Sequence, residues 1–260
     1  MTIRAPVRST LALVTALGAC SDGNGPSGTD ATVDLHIGVA GAAAASSGGP
    51  LAAETIELGG NTLVLTEVQL VLRKVAMQRL AAGDACDDET EEAAESEAES
   101  EADDDASCSV LKLGPMLVSL PLDGSTTRLF AIDAEPGTFR RLMFQLHKPS
   151  NAGADAAFLA LHPAFDGVSV RVLGTFDGVP FEYLTDVTVV EHADLDPPLE
   201  VVLGATSDLT LEVDLSGWFK DQVGTTLIDP ATIGASVQLD AQIRQNIRAS
   251  FRSHPGHGTN

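Results

Sequence analysis

The stretch Val168-Ser-Val-Arg-Val-Leu-Gly-Thr-Phe-Asp-Gly-Val179 predicts a β-hairpin more clearly than any other part of the chain. Valine recurs at alternate positions from Val168 to Val172, which is the period of a strand with one buried face. The strand pattern then meets Asp177-Gly178. This dipeptide suits a type I′ turn, because both central residues of that turn adopt positive φ. We therefore expect two antiparallel strands joined by a tight turn.

Similar signals lie on both sides of this hairpin. Strand patterns occupy residues 32–39, 142–147 and 209–215. Gly59-Gly60-Asn61 separates two further short strand segments and predicts a second hairpin. Glu135-Pro-Gly-Thr138 places Pro and Gly at the central positions of a type II turn. Residues 67–79 fit both strand and helix spacings, and their β-branched content and neighbouring turns favour a strand.

One helix is predicted, near the C-terminus. Asp229-Pro230 suits an N-cap followed by proline in the first turn. Leu239, Ile243 and Ile247 repeat every four residues, as on the buried face of an amphipathic helix over residues 236–253. The many short alternating strands predict that residues 32–235 form a mainly β domain, an antiparallel β-sandwich. Residues 254–260 are expected to fray as a tail.

The N-terminus carries a targeting signal that ends in Leu17-Gly18-Ala19-Cys20. Basic residues precede a short apolar run, as in a secretory signal peptide. The small residues before Cys20 resemble the lipobox of bacterial lipoproteins, which implies removal of residues 1–19 and acylation of Cys20. Residues 20–31 then form a flexible tether. An ordinary signal with an incidental cysteine is the alternative, and the run is far shorter than the ~20 residues that span a bilayer.

The charge of the chain is strongly acidic and locally concentrated. Between Asp84 and Asp105 there are 13 acidic residues and no basic ones, which is more than half of the net charge of −22. Nucleic-acid binding needs a basic face, and none is visible. Residues 87–105 lack the glycine and the alternating ligands of a calcium loop. They are predicted to form a solvated, disordered excursion, with weak divalent cation association as the alternative.

Cys86 and Cys108 bracket the acidic run. An exported protein meets an oxidising compartment, so these two cysteines are expected to form a disulfide. Closing a loop of this length contributes about 3 kcal/mol by the loop-entropy relation. A metal site is the alternative, but two thiols with no histidine nearby are a poor zinc set.

The sequence contains few candidates for chemistry. It has no Gly-x-Ser-x-Gly, His-Glu-x-x-His or Ser-x-x-Lys motif, although paired carboxylates for glycoside hydrolysis stay open. Trp218 and Phe219 follow a predicted strand, where an exposed pair could stack on a sugar ring and a buried pair would fill the core. No histidine shows the spacing of a transition-metal site, so no metal and no cofactor are predicted.

The layout of the chain resembles that of uncharacterised bacterial lipoproteins with a domain of unknown function. The shared features are the lipobox, a strand pair ending in a charged loop, an apolar strand near Leu117 to Leu122, the segment Pro136-Gly-Thr-Phe-Arg-Arg-Leu142, and a late strand from Asp208 to Leu215. The resemblance covers Thr32 to Leu215. It implies a prealbumin-like or carbohydrate-binding-like β-sandwich in the cell envelope, and it carries no catalytic residues.

These observations lead to one functional expectation with two alternatives. The expected protein is a lipid-anchored, non-enzymatic β-sandwich on the outer membrane or cell surface, which binds a glycan, an envelope protein or a cation. Its acidity would repel it from anionic membranes, so the lipid at Cys20 is the expected membrane attachment. A structural envelope lipoprotein without a small ligand and an envelope hydrolase are the alternatives.

Overall fold

The computed structural model describes residues 31–41, 53–80, 108–112, 114–153 and 155–256, with the backbone alone for residues 108–112. Strands hold 54% of these residues and helices 17%, so the prediction of a mainly β protein is confirmed. The strands are β1 (Ala31–Val39), β2 (Glu54–Leu58), β3 (Asn61–Arg79), β4 (Cys108–Lys112), β5 (Met116–Ser119), β6 (Thr126–Ala134), β7 (Gly137–Leu146), β8 (Val170–Phe176), β9 (Val179–Thr185), β10 (Val189–Val201), β11 (Thr206–Val213) and β12 (Phe251–Pro255). The α-helices are α1 (Asp155–Leu161) and α2 (Val237–Arg248).

The strands form one curled, mixed sheet in the order β6-β1-β11-β12-β10-β7-β3-β8-β9. Strands β2, β4 and β5 also pair with β3. β1 runs parallel to β11, and β10 runs parallel to β12, whereas the other strand pairs in the described part of the chain are antiparallel. The prediction of a purely antiparallel arrangement is therefore wrong. Polar and apolar alternation reports which face a side chain takes, and it carries no information about the direction of the neighbouring strand.

The two predicted hairpins are confirmed. β8 and β9 pair with Phe176 opposite Val179, and the turn residues Asp177 and Gly178 have φ values of 49° and 80°. The carboxylate of Asp177 also accepts a hydrogen bond from the backbone N–H of Thr62 at 2.8 Å. β2 and β3 pair about the Gly59-Gly60 turn. Local turn chemistry therefore predicts both connections correctly.

β3 is a 19-residue strand, so the preference for a strand over residues 67–79 is confirmed. Its first half pairs with β8 and its second half with β7. Within the second half Lys74 has φ of 56°, and the pairing register shifts on both sides of the strand. This bulge bends β3 between the segment that pairs with β5 and the segment that pairs with β4. Both faces of the strand are buried here. The main core covers one face, and a small cluster covers the other. The sequence therefore also fits a helical spacing. The cluster consists of Val71, Phe158, Leu159 and Phe165.

The segment from Glu135 to Thr138 does not form the predicted type II turn. Gly137 has φ of 159° rather than the value near +80° that this turn requires. It connects β6 and β7, which are not neighbours in the sheet. Arg79 covers the segment, with Nη1 donating to the Pro136 carbonyl at 3.0 Å and Nη2 to Glu135 at 2.7 Å. A Cβ on residue 137 would lie closer than 3.0 Å to Arg79 Nη1, so the guanidinium would have to move if the glycine were replaced.

The C-terminal helix exists, but its predicted bounds are wrong. α2 ends at Arg248, with Ile243 and Ile247 buried, and Ser236 caps its first turn. Asp229 instead caps a short 3-10 helix, Pro230–Ala235. The chain then forms β12, which pairs with both β11 and β10, so residues 251–255, predicted as the helix end and the start of the frayed tail, are part of the sheet. This strand has only five residues, too few to show a clear period, and the seven-residue α1 was missed for the same reason.

The acidic residues 87–105 lie outside the described residues. The strands on either side are placed, because β3 and β4 pair antiparallel with Gln78 opposite Cys108. The acidic segment therefore belongs to a connection between two neighbouring antiparallel strands. A connection of this kind can be shortened without altering which strands pair.

Replacing residues 87–105 with a short Gly/Ser linker between the retained Cys86 and Cys108 is expected to leave the melting temperature unchanged or slightly higher. Loop-closure entropy depends weakly on length, and the replacement removes like charges that repel one another most strongly at low salt. Thermal scans of both proteins with and without millimolar calcium provide the measurement. Calcium-dependent stabilisation of the intact chain alone would instead indicate a structural calcium site.

Candidate functional site

Trp218 and Phe219 were candidates either for an exposed sugar-stacking pair or for a buried core pair, and the structure contradicts the first. Both side chains are fully buried, at 0% exposure. The ring of Phe219 meets Phe181 and Tyr183 edge to face, with centroids 6.0 and 5.5 Å apart. After β11, a short 3-10 helix capped by Asp214 turns the chain inward, so these residues enter the core instead of ending on the surface. The alternative of a buried core pair is correct.

The three cysteines cannot be placed as a set. Cys20 and Cys86 lie outside the described residues. Cys108 is the first residue of β4, of which only the backbone is described. Acylation at Cys20 and the Cys86–Cys108 disulfide therefore stay predictions.

Polar side chains of β6, β1, β11 and β12 lie on the side of the sheet away from the core. We call this side the outer face, and its residues are Arg128, Asp34, His36, Asp208, Thr210, Glu212, Arg252 and His254. Along β1, Val33, Leu35 and Ile37 are buried in the core, while Asp34 and His36 point to the opposite side. The two-residue period of a strand thus separates one apolar from one polar face.

Three side chains on the outer face converge, and we call them the triad: Asp34, His36 and Asp208. One ligand atom from each lies within 4.8 Å of the other two, and all three residues are half-buried. His36 Nε2 is 3.5 Å from Asp208 Oδ1. Imidazole nitrogen and carboxylate oxygen are both ligands for divalent transition metals.

The backbone fixes the positions of the triad. Asp34 and His36 are two residues apart on β1, and Asp208 lies directly opposite Asp34 in the parallel register with β11. The backbone N–H of Gly256 donates to the Asp208 carbonyl at 2.7 Å. A Cβ on residue 256 would lie 2.5 Å from the Cβ of Asp208, so only glycine permits this approach.

Arg128 completes the surroundings of the triad. The β1–β6 register shifts between Leu35 and His36, which places Arg128 opposite His36. From there its Nη2 donates to Asp34 Oδ1 at 2.6 Å. A bulge that redirects a charged side chain next to other polar groups is a recurrent feature near functional sites.

A second histidine pair lies on the same face. His254 Nε2 is 3.4 Å from Glu212 Oε1. Thr210 is opposite His36 on one side and His254 on the other, so the two imidazoles are two strands apart, about 10 Å. Among the described residues no third ligand joins His254 and Glu212.

His147 and Asp155 form a buried pair elsewhere. His147 Nε2 is 2.8 Å from Asp155 Oδ2, which also accepts from the Ser150 N–H at 3.0 Å. Burial lowers the pKa of His147, and the hydrogen bond to Asp155 offsets part of that effect. Because the folded state disfavours the imidazolium, this group costs stability as the pH falls below the ordinary histidine pKa. The pair fastens α1 to the sheet, which is a structural role.

Sequence reasoning missed the triad. The local signal was Asp34-x-His36 in a predicted strand, which places both side chains on one face. Asp208 is far away in sequence, and it joins them only through the parallel pairing of β1 with β11. That pairing has no local turn signal.

No helix in the part of the chain that the structure describes has the length and apolar character to cross a bilayer. Comparison with protein-family models, with curated proteins and with solved structures finds no match for this chain. The role of the outer face is therefore inferred from the residues that form it.

Proposed function

We propose that this protein is a lipid-anchored, non-enzymatic binding module of the bacterial cell envelope, which presents the outer face to its ligand. The observation that carries the proposal is the convergence of Asp34, His36 and Asp208 on paired strands. Strand-borne side chains are held more precisely than side chains on loops, which suits a preformed binding surface.

The lipid anchor is proposed from the Leu17–Cys20 segment and its resemblance to a lipobox. β1, which carries two of the triad residues, begins at Ala31, soon after Cys20. A short tether would therefore connect the lipid directly to the strand at the centre of the outer face. The location proposed is the outer membrane or the cell surface.

We also propose that the curled sheet is a β-sandwich of the prealbumin-like or carbohydrate-binding-like kind, as in the uncharacterised lipoproteins that the chain resembles. Its support is a single buried cluster that contains residues from distant parts of the sheet, including Leu35 of β1, Leu65 of β3, Val172 of β8 and Leu209 of β11. Two facing layers around one core would produce such a cluster.

The character of the outer face favours a polar ligand. Trp218 and Phe219 are buried and cannot stack on a sugar ring. Three carboxylates, two imidazoles and two guanidinium groups line the face instead. An envelope glycan or protein would be recognised here through charge, hydrogen bonds or a shared metal ion.

Cys20→Ala is expected to move the protein from the detergent-rich to the aqueous phase after detergent phase separation, or to block its processing. Two or more acyl chains give stable membrane attachment, and a chain without them has no comparable anchor. Wild-type protein expressed in the same cells is the control. A Cys20→Ala variant that still partitions fully with detergent would show that the lipobox interpretation is wrong.

A further inference from the structure

We propose that Asp34, His36 and Asp208 bind one divalent transition-metal ion of the Zn²⁺ class, with a fourth coordination position open. This inference rests on the proposed binding role of the outer face. It identifies a metal ion as the first ligand that the face binds, before any envelope molecule. The open position would accept water or a polar atom of an envelope molecule.

The separation of His36 Nε2 and Asp208 Oδ1 matches that of two ligands in a tetrahedral site. Zn–N and Zn–O bonds of 2.0–2.2 Å place neighbouring ligand atoms about 3.4 Å apart. His36 Nε2 and Asp208 Oδ1 are 3.5 Å apart, which is longer than the usual 2.7–3.2 Å of an N–H···O hydrogen bond. These two atoms are therefore spaced for a shared ion rather than for a direct hydrogen bond, and one carboxylate oxygen of Asp34 lies within 4.8 Å of a ligand atom of each.

Arg128 supports this arrangement. It holds Asp34 through Oδ1, so Oδ2 stays available as the metal ligand. Carboxylate ligands are commonly oriented by such an outer hydrogen bond. Two carboxylates and one guanidinium give this group of residues a net charge of −1, which attracts a divalent cation.

The donor set favours a transition metal over calcium or magnesium. Ca²⁺ takes six to eight oxygen ligands, and Mg²⁺ takes a near-octahedral shell of oxygens. The triad offers three protein ligands, one of them an imidazole nitrogen, which suits Zn²⁺, Ni²⁺ or Cu²⁺. Three protein ligands with one open position is also the composition of zinc sites that interact with a further molecule.

The same face provides a matched control. His254 and Glu212 repeat the pairing of an imidazole with a carboxylate, at 3.4 Å, without a third ligand among the described residues. If any histidine next to a carboxylate were enough to bind the metal, both the triad and the His254–Glu212 pair would bind it. If three ligands are required, only the triad binds it.

The test is calorimetric titration of Zn²⁺ into the full-length, detergent-solubilised protein, with millimolar Ca²⁺ present to occupy the acidic segment. We expect one tight site in the wild type. His36→Gln and Asp208→Asn should each weaken it at least about 100-fold. Arg128→Gln should weaken it about 10-fold, within the range for an outer-shell partner. His254→Gln should change the Zn²⁺ affinity by no more than about twofold, because His254 is not a ligand of the ion.

Two results would overturn the proposal: no tight site in the wild type, or equal losses in His36→Gln and His254→Gln. Circular dichroism verifies that each variant is folded, and Asp208→Asn preserves side-chain volume in case His36→Gln does not fold. The anchoring experiment fails independently of this one. If the Cys20→Ala variant stayed in the detergent phase, the lipid-anchor proposal would be wrong. Tight Zn²⁺ binding by the same protein would still support the metal site.

Discussion

Trp218→Ala is expected to lower the free energy of unfolding by about 3–5 kcal/mol, as is typical when a large buried aromatic side chain is truncated. Trp218 is fully buried, and it lies where β11 is joined to α2. Asn246 of α2 donates to its backbone carbonyl at 3.0 Å. The cavity left by the indole would open in the main hydrophobic core. Urea denaturation followed by far-ultraviolet circular dichroism measures the loss.

Trp218→Phe is the matched control. Among the described residues the indole Nε1 has no hydrogen-bond partner, so phenylalanine removes volume without removing a hydrogen bond. Its cost should be about 1–2 kcal/mol, clearly less than that of alanine. A Trp218→Ala variant as stable as the wild type would mean that the side chain is exposed. The sugar-stacking hypothesis would then return.

Gly174→Ala is expected to destabilise the protein by about 3 kcal/mol, at the upper end for overpacking a core. Gly174 lies in β8 between its partners Leu65 and Phe181. A Cβ there would come closer than 3.0 Å to the carbonyl oxygen of Val64, a separation that real Cβ atoms essentially never show. Because that oxygen is backbone in a paired strand, β3 or β8 would have to move.

Gly234→Ala provides the comparison, since no atom outside its immediate surroundings lies within 4 Å of a Cβ built there. Its effect should stay within about 0.5 kcal/mol. Urea denaturation of both variants under identical conditions separates the steric effect from the general effect of adding a methyl group. Equal stabilities for the two variants would contradict the close pairing of β3 and β8.

Local signals in the sequence predicted the parts of the fold that depend on local chemistry. Asp177-Gly178 and Gly59-Gly60 predicted both hairpins, because a tight turn fixes its residues' backbone angles and joins adjacent strands. The parallel neighbours of β1 and β10 were not predictable in this way. They meet through long connections whose course depends on packing of the whole domain.

The same distinction applies to the site. The sequence left Trp218 either exposed at the end of a strand or buried in the core, and the 3-10 helix that follows β11 turns it into the core. His36 was not predicted as a ligand, because one of its partners, Asp34, is only two residues away and the other, Asp208, lies on a strand that is distant in sequence. A site built by strand pairing becomes visible only once the pairing is known.

The most direct measurement is anomalous X-ray diffraction at the zinc absorption edge from crystals of the full chain grown with Zn²⁺. We predict one strong anomalous peak on the outer face, about 2.0–2.2 Å from His36 Nε2 and from one oxygen each of Asp34 and Asp208. A peak between His254 and Glu212 instead, or no ordered zinc on the outer face, would contradict the assignment of this surface as a metal-dependent binding site.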